Sequence, residues 1–293
     1  MRTRTKLLMM MPAALLLAAA CGNGDGGTET RSTPSPETTG TAELFPVFAS
    51  SELVVGENRF LLGLLDSNDA PIGSPDISVK AKFFFNAEEE PRAETDLDFI
   101  WIDKPVRGLF ATQVTFDTEG QWTTEIDIEG DGYDSTVRSG FPVLSESATP
   151  AIGEQPPASD TPTADDVKEL SKISTDKHPD PAFYQVSIAD ALESGEPFVV
   201  VFATPKFCVS QTCGPMLDIV QDVAEGFAGV TFIHVEPYDL DKTPEELVPV
   251  DAAVDWGLPS EPWVFVMDDD GRVAAKFEGV LSTKELRNAL STL

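Results

Sequence analysis

Basic residues are scarce in this chain of 293 residues: 20 Lys and Arg stand against 50 Asp and Glu, a formal charge of −30. That balance argues against a nucleic-acid partner, whose phosphates need Lys and Arg. It argues equally against a basic contact with anionic lipid. The excess acid reads as a solubilising surface. Histidine occurs only at His178 and His234, and cysteine only at Cys21, Cys208 and Cys213. There is no C-x-x-C and no internal repeat. Residues 43–145 contain neither Cys nor His. A transition-metal site there would have carboxylates alone, a poor donor set.

Long apolar runs are also lacking. The run from Leu7 to Ala20, broken by Pro12, is too short for a transmembrane helix. Arg2, Arg4 and Lys6 precede it, as in a signal peptide. It ends "LLLAAAC", and these small residues before Cys21 resemble the lipobox of bacterial lipoproteins. The resemblance implies removal of residues 1–20 and lipidation of Cys21. The chain would then be anchored at the outer face of the cytoplasmic membrane or in the cell envelope. Residues 21–42 read as a polar tether. In that compartment thiols can pair, and with Cys21 lipidated only Cys208 and Cys213 remain to do so.

A second polar stretch, 146–165, is rich in Pro, Ser, Thr and Ala and reads as a linker. Before it, residues 43–145 alternate at period two. Ile77, Val79, Ala81, Phe83 and Phe85 share one face; so do Phe110, Thr112, Val114 and Phe116; so do Trp122, Thr124, Ile126 and Ile128. Half-buried antiparallel strands carry this pattern, and several of them predict an all-β, immunoglobulin-like sandwich. Trp101 and Trp122 read as core or edge aromatics. The segment "GLFATQVTFDTEGQWTTEIDI" resembles YtkA-like β-sandwiches. A spacer or docking role follows for this region.

Residues 166–293 alternate helix and strand signals. Capping patterns mark helices at Thr163, at Ser187 with Asp190, and at Ser282 with Glu285. Thr243 with Pro244 marks a further start. "PFVVVFA" and "VTFIHVEPY" read as buried strands, and "PWVFVMDDDGRVAAKFEG" as a hairpin. A strand running into a cysteine pair and a helix, followed by "SEPWVFVMDDDGRV", resembles the thioredoxin-like superfamily, nearest its TlpA-type extracytoplasmic members. The resemblance implies two domains, the second an α/β thioredoxin-like fold, with Pro262 as a cis-proline beside the active site and Glu261 before it. It implies thiol–disulfide exchange with exported protein thiols or disulfides and no cofactor.

Cys208 and Cys213 lie five apart, more than about 7.5 Å along a continuous helix, whereas a disulfide needs less than about 7 Å. Pro215 is comfortable only in a first helical turn. The spacing therefore predicts a loop from Cys208 to Thr212 and a helix starting near Cys213, where the dipole favours a thiolate. Either cysteine remains open as the nucleophile, with Cys208 preferred. Two alternatives stand beside exchange: a binding lipoprotein with a structural disulfide, and copper handling as in Sco-type proteins, in which His234 or His178 would join the thiolates. The C-x4-C spacing also resembles the peroxiredoxin Q group, but that group's Pro-x-x-x-Thr/Ser-x-x-Cys pattern is absent.

Overall fold

The computed structural model describes residues 37–40, 44–242 and 246–293. The signal segment, Cys21 and the Thr243–Pro244 helix start lie outside them.

The alternating segments fold as expected into strands: β1 (Glu37–Gly40), β2 (Phe45–Phe48), β3 (Gly56–Leu65), β4 (Pro71–Ile72), β5 (Ser78–Phe85), β6 (Ala93–Asp103), β7 (Arg107–Phe116), β8 (Gly120–Gly130) and β9 (Tyr133–Val143). They do not form an immunoglobulin-like pair of separate sheets. One continuous nine-stranded sheet runs β1-β9-β8-β5-β6-β7-β3-β2, with β4 beside β3. The cause is β6. Its first half pairs with β5 (Val79 opposite Leu97) and its second half with β7 (Phe99 opposite Phe110), so one long strand carries the sheet around. A parallel bridge between Val54 and Leu144 draws the two ends of the sheet together. Inside sit Phe60, Phe83, Phe110, Phe116, Trp122 and Phe141. Their rings meet mostly edge-on, Phe60 to Phe83 at 5.1 Å and Phe116 to Trp122 at 4.9 Å. The indole N–H of Trp122 donates to the Thr118 carbonyl, so the core tryptophan leaves no polar atom orphaned.

The remaining strands are β10 (Phe198–Phe202), β11 (Thr231–Val235), β12 (Trp263–Met267) and β13 (Val273–Glu278), in the order β11-β10-β12-β13. β10 and β11 are parallel, and the other two pairings are antiparallel. Every residue of β10 and β12 is buried, as their unbroken apolar runs require. The α-helices here are short: α1 (Ile188–Ser194), α2 (Cys213–Ala224), α3 (Asp251–Asp255) and α4 (Thr283–Leu290).

The expected fold class is therefore corrected. The described chain is mostly β, in two sheets of which one is nearly closed, and four short helices do not supply the layers of an α/β thioredoxin-like fold. By their contacts, the described residues fall in one compact unit, Pro34–Leu293. Two expected helices account for much of the difference. At Thr163 the capping contact forms, with its N–H and hydroxyl both 2.8 Å from Asp166 Oδ2. No α-helix follows: the Ala164 N–H donates to the Tyr184 carbonyl, and the segment forms only a 3-10 turn at Leu170–Lys172. Past the second expected start, the described helix covers only Asp251–Asp255. The capping boxes at Ser187/Asp190 and Ser282/Glu285 do form, and Gly195 ends α1 at φ 66°.

Two contacts bind the sheets into one unit. Arg59 on β3, nearly buried, pairs with Glu285 at 2.7 Å and donates to the carbonyls of Glu278 (2.9 Å) and Val280 (2.8 Å). Glu52 is the second. Burial pushes its carboxyl up, but hydrogen bonds from Ser147, Ala148 and Thr149, with Lys276 at 3.2 Å, outweigh that and hold it below the usual range. The stretch 146–165 is thus fastened to both sheets at its start. Further along, its Ser159 carbonyl accepts from the N–H of Ala189 on α1.

Candidate functional site

Three strand ends meet at the cysteine pair. Phe202, the last residue of β10, lies opposite Val235 on β11 and Trp263 on β12. The chain leaving β10 carries Cys208. The chain leaving β11 carries Glu236 and Tyr238, and the chain entering β12 carries Glu261 and Pro262. The Glu261–Pro262 peptide bond is cis.

Cys208 and Cys213 form a disulfide, with Cα atoms 6.1 Å apart. The loop and helix divide where Pro215 requires. Residues 203–212 are irregular and Cys213 is the first residue of α2. The Cys208 N–H donates to the Thr204 carbonyl at 3.1 Å, and the Gln211 N–H to the Cys208 carbonyl at 3.2 Å, with Gln211 at φ 58°. The loop therefore curls back and brings the sulfurs together. Cys213 is fully buried, whereas Cys208 is half-buried and the loop tip, Val209, is 87% exposed. Two polar groups touch the Cys208 sulfur: the Cys213 N–H at 3.3 Å and the Ser210 hydroxyl at 3.2 Å.

Glu261 lies beside both sulfurs, the ligand atoms of the three residues all being within 4.8 Å of one another. Burial pushes its carboxyl above the usual range, against a 2.9 Å hydrogen bond from the Tyr238 hydroxyl. Tyr238 is itself pushed up to about 12, by burial and by that carboxylate. Glu236, 5% exposed, is a second raised carboxyl in this corner, again through burial first. It accepts from the Thr175 N–H at 2.8 Å and the Thr175 hydroxyl at 2.7 Å. The residue reading of the sequence missed Glu236 and Tyr238. The available signal was an acid placed directly after the apolar strand run "VTFIHV", where a chain leaving a buried strand is still covered.

The histidines do not join the sulfurs. His178 is exposed in the loop after Asp176. His234 is buried on β11 with both ring nitrogens engaged: Nε2 donates to the Ala203 carbonyl at 2.9 Å and Nδ1 accepts from the Tyr184 hydroxyl at 2.7 Å. Burial lowers it to about 4. Acid therefore acts on the unfolded chain first. Between about pH 6.5 and 4 the unfolded histidine takes up a proton that the folded one refuses, and stability falls. His234→Gln should lose roughly 2 kcal/mol less than wild type between pH 7 and 5 in urea titrations. Equal losses in the two proteins would contradict this assignment.

Among the described residues no helix is long and apolar enough to cross a membrane. No family model matches the chain, and no curated protein matches it. Solved structures do match. One is the CARDB domain of a Pyrococcus furiosus protein in complex with di-metal ions, at 14% identity and TM-score 0.20, over 38% of this chain and 96% of that one. Another is a putative superoxide reductase from Thermotoga maritima, at 10% identity and TM-score 0.23, over 35% and 86%. A third is a putative glycoside hydrolase from Bacteroides vulgatus, at 14% identity and TM-score 0.21, over 36% of this chain and 22% of that one.

Proposed function

We propose that the chain is a membrane-anchored thiol–disulfide oxidoreductase of the cell envelope, exchanging disulfides with exported proteins through Cys208 and Cys213. The observation that carries this reading is the disulfide at a loop-to-helix junction, with Cys208 half-buried beside the exposed Val209 and Cys213 fully buried. In the reducing direction, the Cys208 thiolate attacks a partner disulfide. A bond forms between Cys208 and one partner sulfur, and the other leaves as a thiolate. The Cys213 thiolate then attacks Cys208, releases the second partner sulfur and restores the disulfide. The partner gains two electrons and the pair loses two, so no cofactor is needed.

The surroundings suit these roles. The Cys213 N–H, at the start of α2, and the Ser210 hydroxyl are placed to donate to a thiolate on Cys208. Glu261, its carboxyl raised by burial, can take the thiol proton and return it to a departing thiolate. Insulin reduction tests the reaction: wild type should accelerate it, and Cys208→Ser should not rise above the uncatalysed rate. Anchoring rests on the Cys21 reading. Cys21→Ser should move the protein from the membrane to the soluble fraction, and unchanged membrane partition would refute that part.

Complete burial of Cys213 favours a second reading, a structural disulfide in a binding lipoprotein. Resistance of the pair to glutathione would select it.

A further inference from the structure

We propose that the reduced Cys208–Cys213 pair binds one Zn2+ ion together with Glu261, so that reduction opens a metal site and oxidation closes it. Among the described residues, this is the one cluster of three or more Cys, His, Asp or Glu whose ligand atoms come close enough to share an ion. Its members come from separate segments, the loop after β10, the start of α2 and the entry to β12, so the fold assembles it. Around a tetrahedral zinc ion, thiolate and carboxylate ligand atoms sit roughly 3.5–3.8 Å apart. The three atoms already lie within 4.8 Å. Once the S–S bond is broken, Cys208 can withdraw on its exposed loop while Cys213 stays fixed in the helix start.

The donor set selects the ion. The two thiolates exclude Mg2+ and Ca2+, which take oxygen ligands, and the carboxylate beside them favours Zn2+ over Cu(I), which takes soft ligands alone. His234 offers no further ligand because both its nitrogens are engaged. Tyr238, donating to Glu261 Oε2 at 2.9 Å, orients the carboxylate as outer-shell partners of metal ligands do. Three protein ligands leave a fourth position for water or a partner's thiolate. A formal charge of −30 draws cations toward the surface. The inference needs the disulfide to be reducible, not to exchange with protein partners. A phosphine reductant supplies the two electrons and becomes the phosphine oxide, water supplying its oxygen and the two thiol protons, which Zn2+ then displaces.

The test uses the full chain in detergent, reduced with a phosphine and freed of it. Zn2+ is titrated against a chromophoric chelator, and Co2+ serves as a spectroscopic probe. The proposal expects one equivalent of tight Zn2+ per reduced chain and a near-ultraviolet thiolate-to-Co2+ band. Glu261→Gln should bind Zn2+ about 10–100-fold more weakly. The oxidised wild type is the control that needs no substitution, and it should show only weak binding without the band. Equal Zn2+ binding by oxidised and reduced chains, or no thiolate band, would overturn the site. An unchanged Glu261→Gln affinity would overturn the carboxylate's place in it. Zinc binding without insulin reduction, or the reverse, separates this inference from the exchange reading.

Discussion

Cys213→Ser should arrest exchange halfway, leaving partner proteins joined to the chain through Cys208. The two sulfurs are not equivalent. Cys208 is half-buried beside an exposed loop tip, whereas Cys213 is sealed at the start of α2 against Met216, Leu217 and the sheet. On the exchange reading, the half-buried Cys208 meets the partner sulfur and the buried Cys213 resolves the complex from within. Without it, the mixed disulfide decays only by attack of an outside thiol. Turnover should fall on the order of a hundredfold or more, because the pair acts as a unit. Non-reducing gels of Cys213→Ser cells should show high-mass adducts that dithiothreitol dissolves. Cys208→Ser should show none. Adducts on Cys208→Ser instead would exchange the roles of the two cysteines.

Phe265→Ala should cost about 3–5 kcal/mol in urea unfolding, the range for deleting a fully buried aromatic ring. Phe265 is the middle residue of β12 and fully buried. Its ring lies 4.9 Å from Trp256, 5.6 Å from Trp263 and 6.2 Å from Phe202. Four large rings from three elements leave little for a cavity to collapse onto. The same strand begins just after Glu261 and Pro262, and Phe202 ends the strand that leads to Cys208. The substitution should thus loosen both sides of the site. A cost below about 1.5 kcal/mol would mean that the rings repack, as in a volume-conserving swap.

Local signals in the sequence were legible where they depended on one segment's own geometry. The period-two faces of β5, β7 and β8 are the buried faces of those strands, apart from Thr112 and Phe85, which are half-buried. Pro215 placed the helix start, and the Ser187 and Ser282 boxes form as their spacing requires. What failed depended on distant partners. Nothing in β6 announces that its two halves pair with different neighbours. The stretch after Ser145 has the composition of a linker, yet Ser147 to Thr149 surround Glu52 almost a hundred residues earlier. At Thr163 the contact with Asp166 forms, yet no α-helix follows it, and the chain is tied instead to Tyr184 by the Ala164 N–H. Cys208, Cys213, Glu261 and Pro262 were identifiable as a group, but the Tyr238–Glu261 contact and the buried Glu236 come only from the convergence of strand ends.

The most direct test of the exchange reading is a redox equilibration of the full chain in detergent against glutathione buffers, with the thiols trapped by alkylation and counted by mass. The account predicts that the Cys208–Cys213 pair equilibrates, with a potential within about −270 to −120 mV, the span of thiol–disulfide exchange proteins. A pair that stays oxidised in buffers below about −300 mV, the range of structural disulfides, would contradict it.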